Sequence, residues 1–391
     1  MGERQYDLVL FGGTGFTGGL TAEYLARNAP DGTRWALAGR NRAKLAALRD
    51  RLTRLDPNCA ELPLLDADIT DPESLRRLAE STRVVITTVG PYLEYGEPLV
   101  AACARSGTDY VDLTGEPEFV DRMYLAHHET ARATGARLVH ACGFDSIPYD
   151  LGVYFTVQHL PRSVPLTVEG QVRAHAEFSG GTYASALTAF ARSTQMAQTA
   201  RHRREAEPRP RDRRIRVSSG LLYRDREVGR WMVPLPTIDP QIVGRSAAAL
   251  DRYGPAFTYR HYASVKRGPT IVAAGLGLAV LGALAQFPAA RTALSRLRKP
   301  GQGPSEHRRL QSWFSVRFVG EGGGERVVTE FAGGDPGYDE TAKMLAESAL
   351  CLAFDELPAT SGQVTTAVAM GDALLNRLAR AGLTIRVVQR G

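Results

Sequence analysis

The chain has 391 residues, a formal net charge of +6, and 43% apolar and 23% charged residues. That composition excludes a disordered or collagen-like protein and allows about two or three domains. Four cysteines, Cys59, Cys103, Cys142 and Cys351, lie far apart with no C-x-x-C pair. This spacing argues against a disulfide framework or a zinc site and points to a reduced, cytoplasmic setting. No metal-ligand spacing occurs, and no secretory leader precedes the first apolar run at Tyr6.

From the N-terminus, strand-like runs alternate with helical patterns. Strands are expected at Leu8–Phe11, Arg34–Ala38, Leu62–Asp66, Val84–Thr88, Tyr110–Leu113 and Arg137–His140. Helices are expected between them at Thr17–Arg27, Arg42–Leu52, Pro72–Ala79, Pro98–Ser106 and Glu118–Thr134. Strands joined by helical crossovers imply an α/β fold, a Rossmann-type doubly wound parallel sheet, over residues 1–150. Beyond Asp150 the pattern weakens. Strands at Leu166–His175, Ser312–Phe318 and Arg326–Phe331, with a helix over Gly180–Gln198, suggest a second, mixed α+β domain over 151–335. Helices at Asp339–Leu352 and Thr365–Arg380 form a C-terminal segment, 336–391, expected to pack back on the first domain.

Two segments interrupt the second domain. Residues 201–226 hold ten arginines with prolines among them and read as a solvated basic loop, with an acidic protein or anionic lipid as the alternative. No aromatic stacking pattern accompanies the charge, which argues against nucleic acid. Residues 268–290 are 23 positions without a charge, flanked by Lys266, Arg267 and Arg291. A bilayer span needs about 20 apolar residues. A buried helix, insertion into a lipid surface and a span all remain open for this segment.

Cofactor chemistry concentrates at the expected strand tips. The first strand runs into Gly12, Gly13, Thr14, Gly15, Phe16, Thr17 and Gly18, then a helix. Glycines let the backbone approach a pyrophosphate, and the N–H groups of the helix's first turn face its charge. The second strand ends in Gly39-Arg40, with Lys44 close behind, where a dinucleotide site selective for the 2′-hydroxyl carries Asp or Glu. A guanidinium suits a 2′-phosphate, so the expected cofactor is NADPH. Asp68 either hydrogen-bonds adenine or, like Asp71, caps the next helix. Thr88, Val89, Gly90 and Pro91 are expected along the ribose and nicotinamide, with Tyr92 facing substrate or stacked in the wall. Cys142, Gly143, Phe144 and Asp145 close the sixth strand. Asp145 and Ser146 either position ligand or cap the following helix.

The motifs at 10–18, 36–40, 85–92 and 107–116 resemble the saccharopine dehydrogenase-like superfamily. His140-Ala-Cys-Gly-Phe-Asp-Ser-Ile-Pro148 narrows this, as do Phe178-Ser-Gly-Gly-Thr182, Lys299-Pro-Gly-Gln-Gly-Pro304, Asp335-Pro-Gly-Tyr338 and Ala369-Met-Gly-Asp-Ala-Leu-Leu375. Together they resemble the trans-acting enoyl reductases of complex lipid and glycolipid synthesis. The resemblance implies an NADPH-dependent reduction of an α,β-unsaturated acyl thioester held by a polyketide synthase. Tyr92, Ser146 and Thr182 are then the polar candidates for catalysis. It also fits a protein peripheral to the inner face of the plasma membrane through 268–290. Two other readings compete: a saccharopine-type dehydrogenase acting on an amino-acid C–N bond, and a non-catalytic NADP-binding protein on a lipid surface.

Overall fold

A computed structural model describes residues 4–176, 191–208, 210–218, 220–235, 237–271, 277 and 303–391. The chain divides into two units. The first holds residues 1–144, 301–303 and 337–381, the second 145–300, 304–336 and 382–391.

β1 (Tyr6–Phe11) is buried along its whole length, as a central parallel strand covered on both faces must be. It leads into α1 (Phe16–Asn28), β2 (Trp35–Gly39), α2 (Arg42–Thr53), β3 (Leu64–Asp66), α3 (Pro72–Ser81) and β4 (Thr82–Thr87). A short α4 (Tyr92–Tyr95) precedes α5 (Glu97–Ser106), β5 (Asp109–Val111), α6 (Pro117–Thr134) and β6 (Arg137–Val139). The six expected strands and the five helices between them are all present. Local chemistry sets their ends. Asn41 caps α2 by accepting from the Lys44 N–H at 3.0 Å, and Asp71 caps α3 with Pro72 in its first turn. Gly107 and Gly135, at φ +66° and +84°, end α5 and α6.

The second unit opens with α7 (Ile147–Val157), so the chain changes unit between Phe144 and Asp145, ahead of the boundary expected after Asp150. β7 (Leu166–His175) and α8 (Ser193–Ala206) follow. The expected helix over 180–198 is described only from residue 191 onward. The expected basic loop over 201–226 is instead the end of α8, β8 (Arg214–Ser218) and β9 (Tyr223–Asp225). Acids one turn along explain the helix: Arg201 pairs with Glu205 and Arg203 with Glu207, each at 2.9 Å. Three elements absent from the sequence reading come next: β10 (Arg230–Pro234), α9 (Asp239–Ala249) and β11 (Ala256–Val265). Most of 268–290 lies outside the described residues. Among those described, no helix is long and apolar enough to cross a membrane.

After α10 (Glu306–Leu310), β12 (Trp313–Gly322) and β13 (Glu325–Gly333), the chain returns to the first unit. There it forms α11 (Asp339–Phe354), β14 (Gly362–Val364), α12 (Thr366–Ala369) and α13 (Gly371–Arg380). α11 packs on α1 and β4, where Tyr24 donates to Glu347 at 2.7 Å. Arg377 on α13 holds Glu347 at 3.1 Å and Asp355 at 2.6 Å. The last strand, β15 (Thr384–Arg390), belongs to the second unit, so the expected C-terminal segment 336–391 is divided between the two.

The first sheet is parallel, in the order β14-β6-β5-β4-β1-β2-β3. It has one strand more than expected, because β14 extends the β6 edge. Its order reverses between β1 and β4, where a doubly wound sheet opens its ligand crevice. The second sheet is mixed, in the order β15-β13-β12-β7-β11-β10-β9, with β8 on β11. Register aligns Val168 with Tyr259, Gly170 with His261 and Phe318, and Val172 with Val316. α7 packs on the β7, β12 and β13 part of this sheet. It approaches closely because Gly152 has no side chain: a Cβ there would lie 2.3 Å from Phe318 Cε2. Gly152→Ala should therefore overpack this layer and cost about 1–3 kcal/mol. Equilibrium urea unfolding followed by circular dichroism checks this; an unchanged midpoint would contradict the packing.

Candidate cofactor cradle and active site

The cradle is built where β1 meets α1. Gly12 has φ +94°, and a Cβ there would lie 2.7 Å from Val89 Cγ2. A Cβ at Gly18 would lie 2.3 Å from the Gly12 carbonyl oxygen and 2.6 Å from Thr88 Oγ1. Thr88 Oγ1 donates to that same carbonyl at 3.0 Å. The loop is thus held against the tip of β4, and only glycine fits at both places. Gly15 stands at the N-cap of α1 with no side-chain cap, and the first turn carries no acid. Thr14 and Gly15 are exposed at the tip. Uncapped N–H groups beside bare backbone are what a pyrophosphate requires. Phe16 and Thr17 are half-buried. The Phe16 ring packs edge-on against Tyr338 at 4.9 Å.

At the tip of β2, Gly39 gives way to an exposed Arg40 with no carboxylate in the ribose position. Lys44 is exposed in the first turn of α2. Arg42 turns toward β3, 3.3 Å from the Leu64 carbonyl and 3.5 Å from Asp66. Asp68 does not cap α3, a task that falls to Asp71. Its carboxylate accepts from Thr70 N at 2.9 Å and Thr70 Oγ1 at 2.8 Å. Those bonds, and then the Arg40 charge, hold Asp68 below the usual carboxylate range.

The tips of β4, β5 and β6 are held by a buried network. Asp112, fully buried, accepts from the Tyr110 hydroxyl at 3.0 Å, Ala141 N at 2.8 Å and Thr114 N at 3.0 Å. His140 Nδ1 lies 2.6 Å from it. Glu116 accepts from Tyr92 N and Leu93 N at 3.2 and 2.8 Å, after the cis Gly90–Pro91 peptide. Tyr92 does not meet the expectation of a catalytic group. It is buried, its hydroxyl donates to the Thr87 carbonyl at 3.1 Å, and it accepts from Leu113 N at 3.1 Å. That hydroxyl is part of the scaffold. The Cys142 thiol is fully buried against the Val139 carbonyl at 3.4 Å. Gly143 packs against Leu113 and Thr341, and Phe144 N donates to Thr341 Oγ1 at 3.1 Å.

The second unit has its own concentration of buried polar groups. Ser146 occupies the N-cap of α7, yet its side chain caps nothing, and its buried Oγ has no partner among the described residues. Of its two expected roles, the helix cap is not realised. Asp145 is partly accessible, and burial pushes its carboxyl up to about 6. Thr182 lies outside the described residues. Asp239 and His261 were absent from the sequence reading, and their 3.7 Å approach is made by the pairing of β10 with β11 and the start of α9. No local motif marks either residue. Among the described residues no cluster of His, Cys, Asp and Glu could hold a metal.

Arg40→Asp should weaken NADPH by about 10- to 100-fold, the worth of a charge-assisted phosphate contact, while leaving NADH nearly unchanged. Titration of protein fluorescence with each cofactor checks this; equal losses would contradict a 2′-phosphate contact at Arg40.

The family model for the saccharopine dehydrogenase NADP binding domain matches residues 8–139. A Mycobacterium tuberculosis protein provisionally named a trans-acting enoyl reductase is 39% identical, with 99% of this chain and 98% of that protein covered. Proteins named trans-acting enoyl reductase from Mycobacterium ulcerans and Mycobacterium bovis are 36% and 37% identical, with 98% of each chain covered. The apo saccharopine dehydrogenase (L-Glu forming) of Saccharomyces cerevisiae shares the fold, with TM-score 0.57 at 12% identity over 98% of this chain and 100% of that one. The chain belongs to the saccharopine dehydrogenase-like oxidoreductases, in the family of the trans-acting enoyl reductases, and its cofactor is NADPH.

Proposed function

We propose that the protein is an enoyl reductase that uses NADPH to saturate an α,β-unsaturated acyl thioester presented by a separate carrier, in polyketide or complex lipid assembly. The observation that carries this reading is full-length identity of 36–39% to proteins bearing that name, through the second unit as well as the cradle. When bound, NADPH supplies the hydride. The chain's own residues do the rest: the 12–18 loop binds pyrophosphate, Arg40 binds the 2′-phosphate, and the β4 tip at Thr88–Gly90 borders the ribose. Much of the rate then comes from holding cofactor and acyl chain in line. The uncharged segment 268–290 suits a greasy acyl chain or a lipid surface.

A dehydrogenase acting on amino dicarboxylates would need converging, free guanidiniums in the second unit. Two arginines of that unit have other neighbours: Arg173 sits over Trp313 at 5.4 Å, and Arg245 lies 3.6 Å from Glu207. This favours the acyl substrate.

The test is NADPH oxidation with enoyl thioesters of increasing length, on coenzyme A and on acyl carrier protein. Turnover that rises with chain length is expected. Tight NADPH binding with no enoyl substrate reduced, but turnover of an imine or amino dicarboxylate, would refute the reading.

A further inference from the structure

Among the described residues, Ala141 and Ser163 are the non-glycine residues with positive φ, both at +59°. Ser163 is exposed in the turn ahead of β7. Ala141 is different. It is 1% exposed and stands two residues past the end of β6. A residue with a Cβ enters the left-handed region only against a steric penalty, so the surroundings must hold it there. The sheet does not require such a turn. Within the two residues that follow each strand of the first sheet, positive φ occurs only at Gly12 after β1 and at Ala141 after β6. The first of these belongs to the pyrophosphate loop. The second lies at the same carboxyl ends of the strands, on the ligand side of the sheet.

Asp112, just past β5, is what holds Ala141. Its Oδ1 accepts from Ala141 N at 2.8 Å, and its main-chain carbonyl accepts from Cys142 N at 2.7 Å. The peptide groups on both sides of the Ala141 Cα therefore donate to one residue, which fixes φ and ψ together. The carboxylate is itself immobile. It is 0% exposed; Oδ1 also takes Thr114 N, and Oδ2 takes the Tyr110 hydroxyl and faces His140 Nδ1. The far end of the turn is held as well, where Phe144 N donates to Thr341 Oγ1. All of these residues belong to the first unit.

The strand order says which part of a dinucleotide would meet this turn. From the Arg40 side the sheet runs β2, β1, β4, β5, β6. A cofactor with its 2′-phosphate at Arg40 and its pyrophosphate at the 12–18 loop continues toward the β4–β6 tips with its nicotinamide half. We propose that Asp112 is a positioning residue for that half of NADPH: by holding Ala141 left-handed it presents the 141–144 turn as the wall against which the nicotinamide half rests. Asp112 is buried and acts only through the turn, and the adenine half owes nothing to it. The proposal rests on the cofactor and its placement, not on which substrate is reduced.

Hydrogen exchange of the native protein tests this without a variant. NADPH should slow exchange in peptides covering 140–146. Adenosine 2′,5′-bisphosphate, which carries only the adenine half and the 2′-phosphate, should slow exchange around the 12–18 loop and Arg40 but not at 140–146. Equal slowing there by both ligands, or none by NADPH, would overturn the proposal. In a second test, Asp112→Ala releases the turn and should weaken NADPH by about 10-fold or more, with adenosine 2′,5′-bisphosphate bound as in the native protein. Asp112→Asn, which keeps an oxygen for Ala141 N, should lose less. Glycine takes positive φ without penalty, so adding Ala141→Gly to Asp112→Ala should restore part of the lost NADPH affinity. A residue that only stabilised the fold would weaken both ligands together and would not be rescued by glycine at 141; that result, or native NADPH affinity in Asp112→Ala, would contradict the proposal. If Asp112→Ala does not fold, the exchange measurement decides by itself.

Discussion

The close approach of Gly18 to the Gly12 carbonyl is the constraint from which the nucleotide site follows. No side chain fits between the loop and the start of α1, and Thr88 fixes the same carbonyl from the tip of β4. The contact ties the first β–α crossover to the strand across the switch point of the sheet. It leaves the helix N-terminus bare and aimed outward, and it puts the tips of β2 and β4 on either side of one loop. A larger residue at either glycine would have to push β4 away from β1, so cofactor binding and sheet geometry are specified by the same atoms.

The two units treat buried charge in opposite ways. In the first, Asp112 and Glu116 are matched to backbone N–H groups, a hydroxyl and an imidazole, and they stiffen the strand tips. In the second, Asp239 and His261 are buried without full partners. A satisfied network rigidifies; an unsatisfied one costs stability. Tyr92 has the chemistry of a proton donor and the bonding of a structural post.

Much of the first unit was legible in sequence because its central strands are buried on both faces and so read as unbroken apolar runs, such as Leu8–Phe11 and Val84–Ile86. The glycine loop, Arg40 and the Asp71 cap are local signals, and local signals survive without a structure. Tertiary pairing was not legible. β14 has three residues, and β15 alternates weakly at a sheet edge, so neither shows a clear period. The arginines of α8 read as a loop while only their sign was counted; the glutamates one turn away make them a helix. The Tyr92 hydroxyl could not be assigned, because its partners Thr87 and Leu113 meet only once β4 and β5 are paired. Asp239 and His261 are brought together by β10, β11 and α9, none of which the sequence reading contained.

The central claim is a hydride to Cβ and a proton to Cα. Turnover of an enoyl thioester with NADPH deuterated at the transferring C4 position tests it most directly, with the product read by NMR and mass spectrometry. The account predicts one deuterium at Cβ and a solvent-derived hydrogen at Cα. Deuterium at the carbonyl carbon, or its appearance only on a carbon bonded to nitrogen when an imine is supplied instead, would contradict it.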